Sequence, residues 1–92
     1  PDTEPQVYEG IPVLKCYIDM NEHVNNARYL DITDEFVENE SAVKRIRVEY
    51  KNPLKRGKAI KALVYTDEGR KFVELCDENN KPYCITEYDY RS

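Results

Sequence analysis

No apolar run in this sequence approaches the ~20 residues that a membrane-spanning helix requires, and no stretch carries the pattern of a secretory signal. A positive excess is missing too. Fourteen Lys and Arg stand against 18 Asp and Glu, a formal net charge of −4, which argues against a nucleic-acid binder because phosphate backbones attract the opposite sign. Cysteine is scarce: Cys16, Cys76 and Cys84 are an odd number without zinc-type spacing. Reduced thiols in a cytoplasmic protein are the simplest reading, each in a strand-like segment where a free cysteine acts as a small hydrophobe. The only histidine is His23 and the only methionine is Met20, with Pro1 at the start. The chain therefore reads as a fragment of something longer. Repeats and low-complexity segments are also missing.

What remains is the composition of a soluble globular domain, 35% charged and 40% hydrophobic. Ninety-two residues make one domain. A chain of this size buries only somewhat over ~60% of its unfolded surface, so a second copy or another domain would add a useful share of core. The lysines and arginines alternate with apolar residues, as on the solvated face of a sheet.

Residues 1–10, with Pro1, Pro5, several acids and Gly10, read as a leader or interdomain linker, and residues 11–92 as the single domain. Residues 11–18 are a short apolar run predicted as a strand, with Pro12 at its start or on an edge. Over residues 25–39 a step of ~100° per residue gathers Tyr29, Leu30, Ile32, Thr33, Phe36 and Val37 on one side. Asp31, Asp34, Glu35 and Glu38 gather on the other. This is an amphipathic helix with an apolar face for a sheet and an acidic face for water, and Asn25 is its candidate N-cap.

After about residue 43 the pattern is that of strands. Ile46, Val48 and Tyr50 alternate with Arg45, Arg47, Glu49 and Lys51. Pro53 ends that run. Ile60, Ala62 and Val64 line one face of the next, which extends to about Thr66. Asp67-Glu68-Gly69 is a hairpin signal before a strand from Arg70 to Cys76. Asp77-Glu78-Asn79-Asn80 marks a second turn, and a last strand runs from Pro82 to Tyr90. Strand, loop, helix and then four antiparallel strands in meander predict the α+β class.

Chemistry concentrates between the first strand and the helix, in Asp19-Met20-Asn21-Glu22-His23-Val24-Asn25-Asn26 running into Ala27-Arg28-Tyr29-Leu30. Alternate residues of an extended stretch point the same way, so Asp19, Asn21 and His23 are able to converge beside a helix start. Backbone N–H groups there suit a developing oxyanion, and a carboxylate serves as general base or nucleophile. Taken singly, each residue has a plainer role. Asp19 and Asn21 are turn formers, His23 a loop histidine, Asn25 and Asn26 helix caps, Tyr29 a core residue.

Together these residues resemble the D-x-N-x-H-V-N-N-x-x-Y signature in the second hotdog domain of the acyl-acyl carrier protein thioesterases. Related single-hotdog acyl-CoA thioesterases carry a similar motif, usually with Gly where this chain has Glu22. The resemblance implies a hotdog fold, an antiparallel β-sheet wrapped around one central α-helix. It also implies hydrolysis of a fatty acyl thioester, carried by acyl carrier protein or CoA, to a free acid and a thiol. No metal or cofactor is called for. By this resemblance Asp19 orders or activates the attacking group, Asn21 orients water or the carbonyl, and His23 handles the proton. Hotdog domains pair by continuing the sheet, which implies a homo-oligomer or a partner hotdog domain.

One departure concerns a further acid, often followed by Cys, that plant members carry a few positions after an E-Y pair. Here Glu49-Tyr50 is followed by Pro53 and Leu54 at those positions. A catalytically silent hotdog that binds acyl thioesters or dimerises is the alternative reading, as is a half-domain active only with a missing first hotdog.

Overall fold

Alternating apolar and polar residues form strands across most of the second half of the chain. The computed structural model describes residues 4–12, 28–54 and 59–91. In chain order its elements are β1 (Gln6–Ile11), α1 (Tyr29–Thr33), β2 (Arg45–Tyr50), β3 (Ile60–Asp67), β4 (Arg70–Cys76) and β5 (Pro82–Asp89). All strand pairs are antiparallel, in the order β1-β3-β4-β5-β2. One sheet with a helix packed on β4 and β5 is the expected α+β arrangement.

The last four strands do not make a simple meander. β3, β4 and β5 do, because their connections carry turn chemistry. Gly69 adopts φ 72° between β3 and β4. Asp77 Oδ1 accepts the Asn79 and Lys81 N–H groups at 2.8 Å each between β4 and β5, an Asx turn. β2 instead lies on the far side of β5. The Lys51 and Asn52 N–H groups both donate to Tyr83 O, at 2.8 and 3.3 Å. The chain thus leaves β2 pinned to the start of β5 and must cross to reach β3.

The N-terminal segment also differs from expectation. Residues 6–10, read as leader, belong to β1, which pairs with β3. Val7 and Tyr8 favour a strand, and the pairing shifts between Tyr8 and Ile11 where Gly10 adopts φ 69°, as in a bulge. Of the strand expected over 11–18, Ile11 ends β1 and residues 13–18, with Cys16, lie outside the described residues.

The expected helix over 25–39 is described from residue 28 onward. α1 continues as a 3₁₀ turn over Asp34–Phe36, then Val37 turns extended at φ −111° and Asn39 takes φ 55°. Its sidedness follows the sequence. Tyr29, Ile32, Thr33 and Val37 are buried, whereas Asp31, Glu35 and Glu38 are exposed. Asp34 is the exception: half-buried, its Oδ1 accepts the Tyr88 hydroxyl at 2.5 Å. The Thr33 hydroxyl meets the same Tyr88 oxygen at 2.6 Å. The core between helix and sheet comprises Tyr29, Ile32, Ile60, Ala62, Val64, Val73, Leu75, Cys84 and Tyr88 with Leu54.

Candidate functional site

Asp19, Asn21 and His23, with Asn25 and Asn26, lie outside the described residues. What the structure describes is the end of their motif, Arg28-Tyr29-Leu30, and the wall it meets. Tyr29 is 1% exposed. Its hydroxyl accepts the Leu54 N–H at 3.0 Å, and its ring lies 5.5 Å from that of Tyr50 at 56°. Spacing alone placed Tyr29 in the core, and there it sits, with a polar tip satisfied by backbone. Burial raises its pKa, against the lowering effect of the Leu54 N–H.

The crossover after β2 forms the opposite side of this wall. Asn52 Nδ2 donates to Pro82 O at 2.7 Å, and Leu54 is fully buried. Sequence reasoning gave no sign of this contact, since a backbone N–H has no residue signature. Pro53 is exposed and Leu54 packs in the core, so neither supplies the acid or thiol that plant-type enzymes carry there. Glu49 does not replace it. Its carboxylate points away from the Tyr50 face and pairs with Lys51 Nζ at 2.6 Å.

The described cysteines are poor nucleophiles. Cys76 and Cys84 are both fully buried and free. Burial pushes the Cys84 thiol up to about 12, and burial with the neighbouring Glu74 also raises Cys76. A thiol held protonated cannot attack. Among the described residues no cluster of three or more His, Cys, Asp or Glu is placed to hold a metal, and no helix is long and apolar enough to cross a membrane.

Among the described residues, a five-stranded antiparallel sheet in this order with one short α-helix packed on it has the hotdog arrangement, and comparison with solved structures bears this out. A 12:0-ACP thioesterase from Umbellularia californica superposes with TM-score 0.77 at 21% identity, over 97% of this chain and 36% of that one. A Staphylococcus aureus protein determined in complex with CoA gives 0.73 at 19% identity, over 92% and 73%. An acyl-ACP thioesterase from Bacteroides thetaiotaomicron gives 0.70 at 19%, over 97% and 37%. A search of curated protein sequences finds no match. The family model for the acyl-ACP thioesterase C-terminal domain matches residues 2–91, and the chain belongs to that family. It spans about a third of the length of the Umbellularia and Bacteroides enzymes.

Proposed function

We propose that this domain hydrolyses fatty acyl thioesters of acyl carrier protein or CoA, releasing a free fatty acid and a thiol, in the cytoplasm. Membership of the thioesterase family, together with the Asp19–Asn26 motif leading into α1, carries the reading. Asp19 would order or activate the attacking water, Asn21 would orient water or the thioester carbonyl, and His23 would manage the proton. Backbone N–H groups at the motif's end would receive the oxyanion. The acyl chain would lie on the helix-bearing side of the sheet. A second hotdog, from another copy or another domain, would complete the cleft. The fraction of the Umbellularia and Bacteroides chains that this chain spans supports that need.

One observation favours a second reading. The positions where plant members carry an acid and Cys hold exposed Pro53 and core-packed Leu54, which suits a domain that binds acyl thioesters without cleaving them. Incubation with acyl-carrier protein and acyl-CoA of several chain lengths, following free thiol, separates the two. Release by the wild type and not by Asp19→Asn or His23→Ala supports hydrolysis. Retained acyl-thioester binding without turnover supports the silent module. Turnover only after a first hotdog domain is added supports the half-domain.

A further inference from the structure

Thr86 is fully buried, and its Oγ1 has no hydrogen-bond partner among the described residues. It stands between Cys84 and Tyr88 on β5, so its side chain shares their core-facing, helix-bearing side. Other hydroxyls there are paired. Thr33 Oγ1 meets Tyr88 Oη at 2.6 Å, and Tyr88 Oη donates to Asp34. The Cys84 thiol interacts with Thr86, but sulfur is a weak hydrogen-bond group. Valine has nearly the same shape without the hydroxyl, and Val73 is the cross-strand neighbour of Thr86 on β4. Burying an unpaired polar group costs stability, so packing alone does not account for a threonine here.

An open strip borders this hydroxyl. α1 packs on β4 and β5, whereas on β2 Ile46 is 47% and Tyr50 46% exposed. Ile46, Val48 and Tyr50 stand opposite Tyr88, Thr86 and Cys84, and opposite residues of an antiparallel pair share a face. Half-buried Val48 therefore lies one strand spacing, about 4.8 Å, from Thr86. The strip begins at the end of the motif, where the Tyr50 ring meets that of Tyr29.

We propose that Thr86 selects the acyl chain: the chain this domain takes carries an oxygen, as a hydroxyl or keto group, part-way along its length, and that oxygen pairs with Thr86 Oγ1. This rests on the acyl-thioester reading above and names its substrate class. A chain laid along Tyr50, Val48 and Ile46 passes Thr86 at the level of Val48, two residues or about 6.6 Å beyond Tyr50. A plain hydrocarbon there leaves the threonine hydroxyl without a partner, whereas an oxygenated chain supplies one. Sites built around a buried hydrogen bond discriminate strongly against ligands that lack the matching group.

Free acids read this preference without hydrolysis. Dodecanoic and hexadecanoic acids and their monohydroxy forms, with the hydroxyl walked along the chain, compete with a fluorescent fatty acid for the protein. The wild type should bind at least one hydroxy acid roughly tenfold or more tighter than its plain parent. Thr86→Val should remove that preference, and Thr86→Ser should keep it. Thr86→Val should also unfold in urea at a midpoint no lower than the wild type, since it deletes an unpaired hydroxyl. A wild type indifferent to the hydroxyl, as a water held by Thr86 would leave it, overturns the proposal. So does binding of none of the acids, a preference that survives Thr86→Val, or a clearly lowered Thr86→Val midpoint. Thiol release is scored separately: turnover without the preference removes this proposal alone, and the preference without turnover removes the hydrolase reading alone.

Discussion

The Tyr29 hydroxyl accepts the Leu54 backbone N–H at 3.0 Å, joining the first turn of α1 to the crossover between β2 and β3. Both partners are buried, Tyr29 at 1% and Leu54 at 0% exposure. The bond therefore spares a buried donor that no water would reach. Tyr29→Phe keeps the ring and removes the acceptor. It should cost about 1–3 kcal/mol, the penalty of leaving a buried N–H unpaired. Urea unfolding should show a lower midpoint with an unchanged slope.

Asp89 gives the fold a defined acid limb. Its carboxylate accepts Arg91 Nε and Nη2 at 3.0 Å each, the Arg91 N–H at 2.9 Å and Arg45 Nη2 at 3.1 Å. Hydrogen bonds from the Arg91 side chain, then from its backbone, hold the carboxyl well below the usual range against the opposing effect of burial. A lowered folded value stabilises the native state above the unfolded pKa of about 3.9. That contribution is lost as pH falls through the folded value. Denaturant midpoints measured from about pH 5 down to about pH 2 should fall less steeply for Asp89→Asn than for the wild type.

The two described thiols should be inert while the chain is folded. With Cys84 pushed up to about 12 and Cys76 equally buried, almost no thiolate exists near neutral pH. Alkylation at mildly alkaline pH, read by peptide mass spectrometry, should leave both unmodified in buffer and modify both in denaturant. Rapid native labelling of Cys84 would contradict this packing.

Two glycines at positive φ should respond differently to alanine. At Gly69, φ 72°, an added Cβ would lie 2.5 Å from Arg91 Cγ; at Gly10, φ 69°, it meets nothing within 4 Å. Gly10→Ala should cost only the left-handed backbone penalty of about 1–2 kcal/mol. Gly69→Ala should cost more, since Arg91 must move and its grip on Asp89 loosens. Thermal unfolding of the two variants side by side checks the order.

Much of the architecture was legible because burial patterns have fixed periods. The two-residue period of Ile60, Ala62 and Val64 marked the core face of β3, and Asp67-Glu68-Gly69 marked a true hairpin. The helical spacing of Tyr29, Ile32, Thr33 and Phe36 marked the side turned to the sheet. Gln6–Gly10 was misread because an edge strand needs little burial and Pro5, Glu9 and Gly10 resemble linker composition. Of the candidate site, only its end at Tyr29 falls among the described residues.

Local pattern, then, determined the strands β2 to β5, the sidedness of the helix and, through the Asp19–Tyr29 motif, the family. It did so because side-chain period and turn chemistry act between near neighbours. Only the tertiary structure decided that β2 lies beside β5, that Asp34 serves Tyr88 and that Leu54 hangs on the Tyr29 hydroxyl. Those contacts join residues 25 to 54 positions apart, and they are chosen by which buried donors and acceptors must be satisfied once the chain is compact.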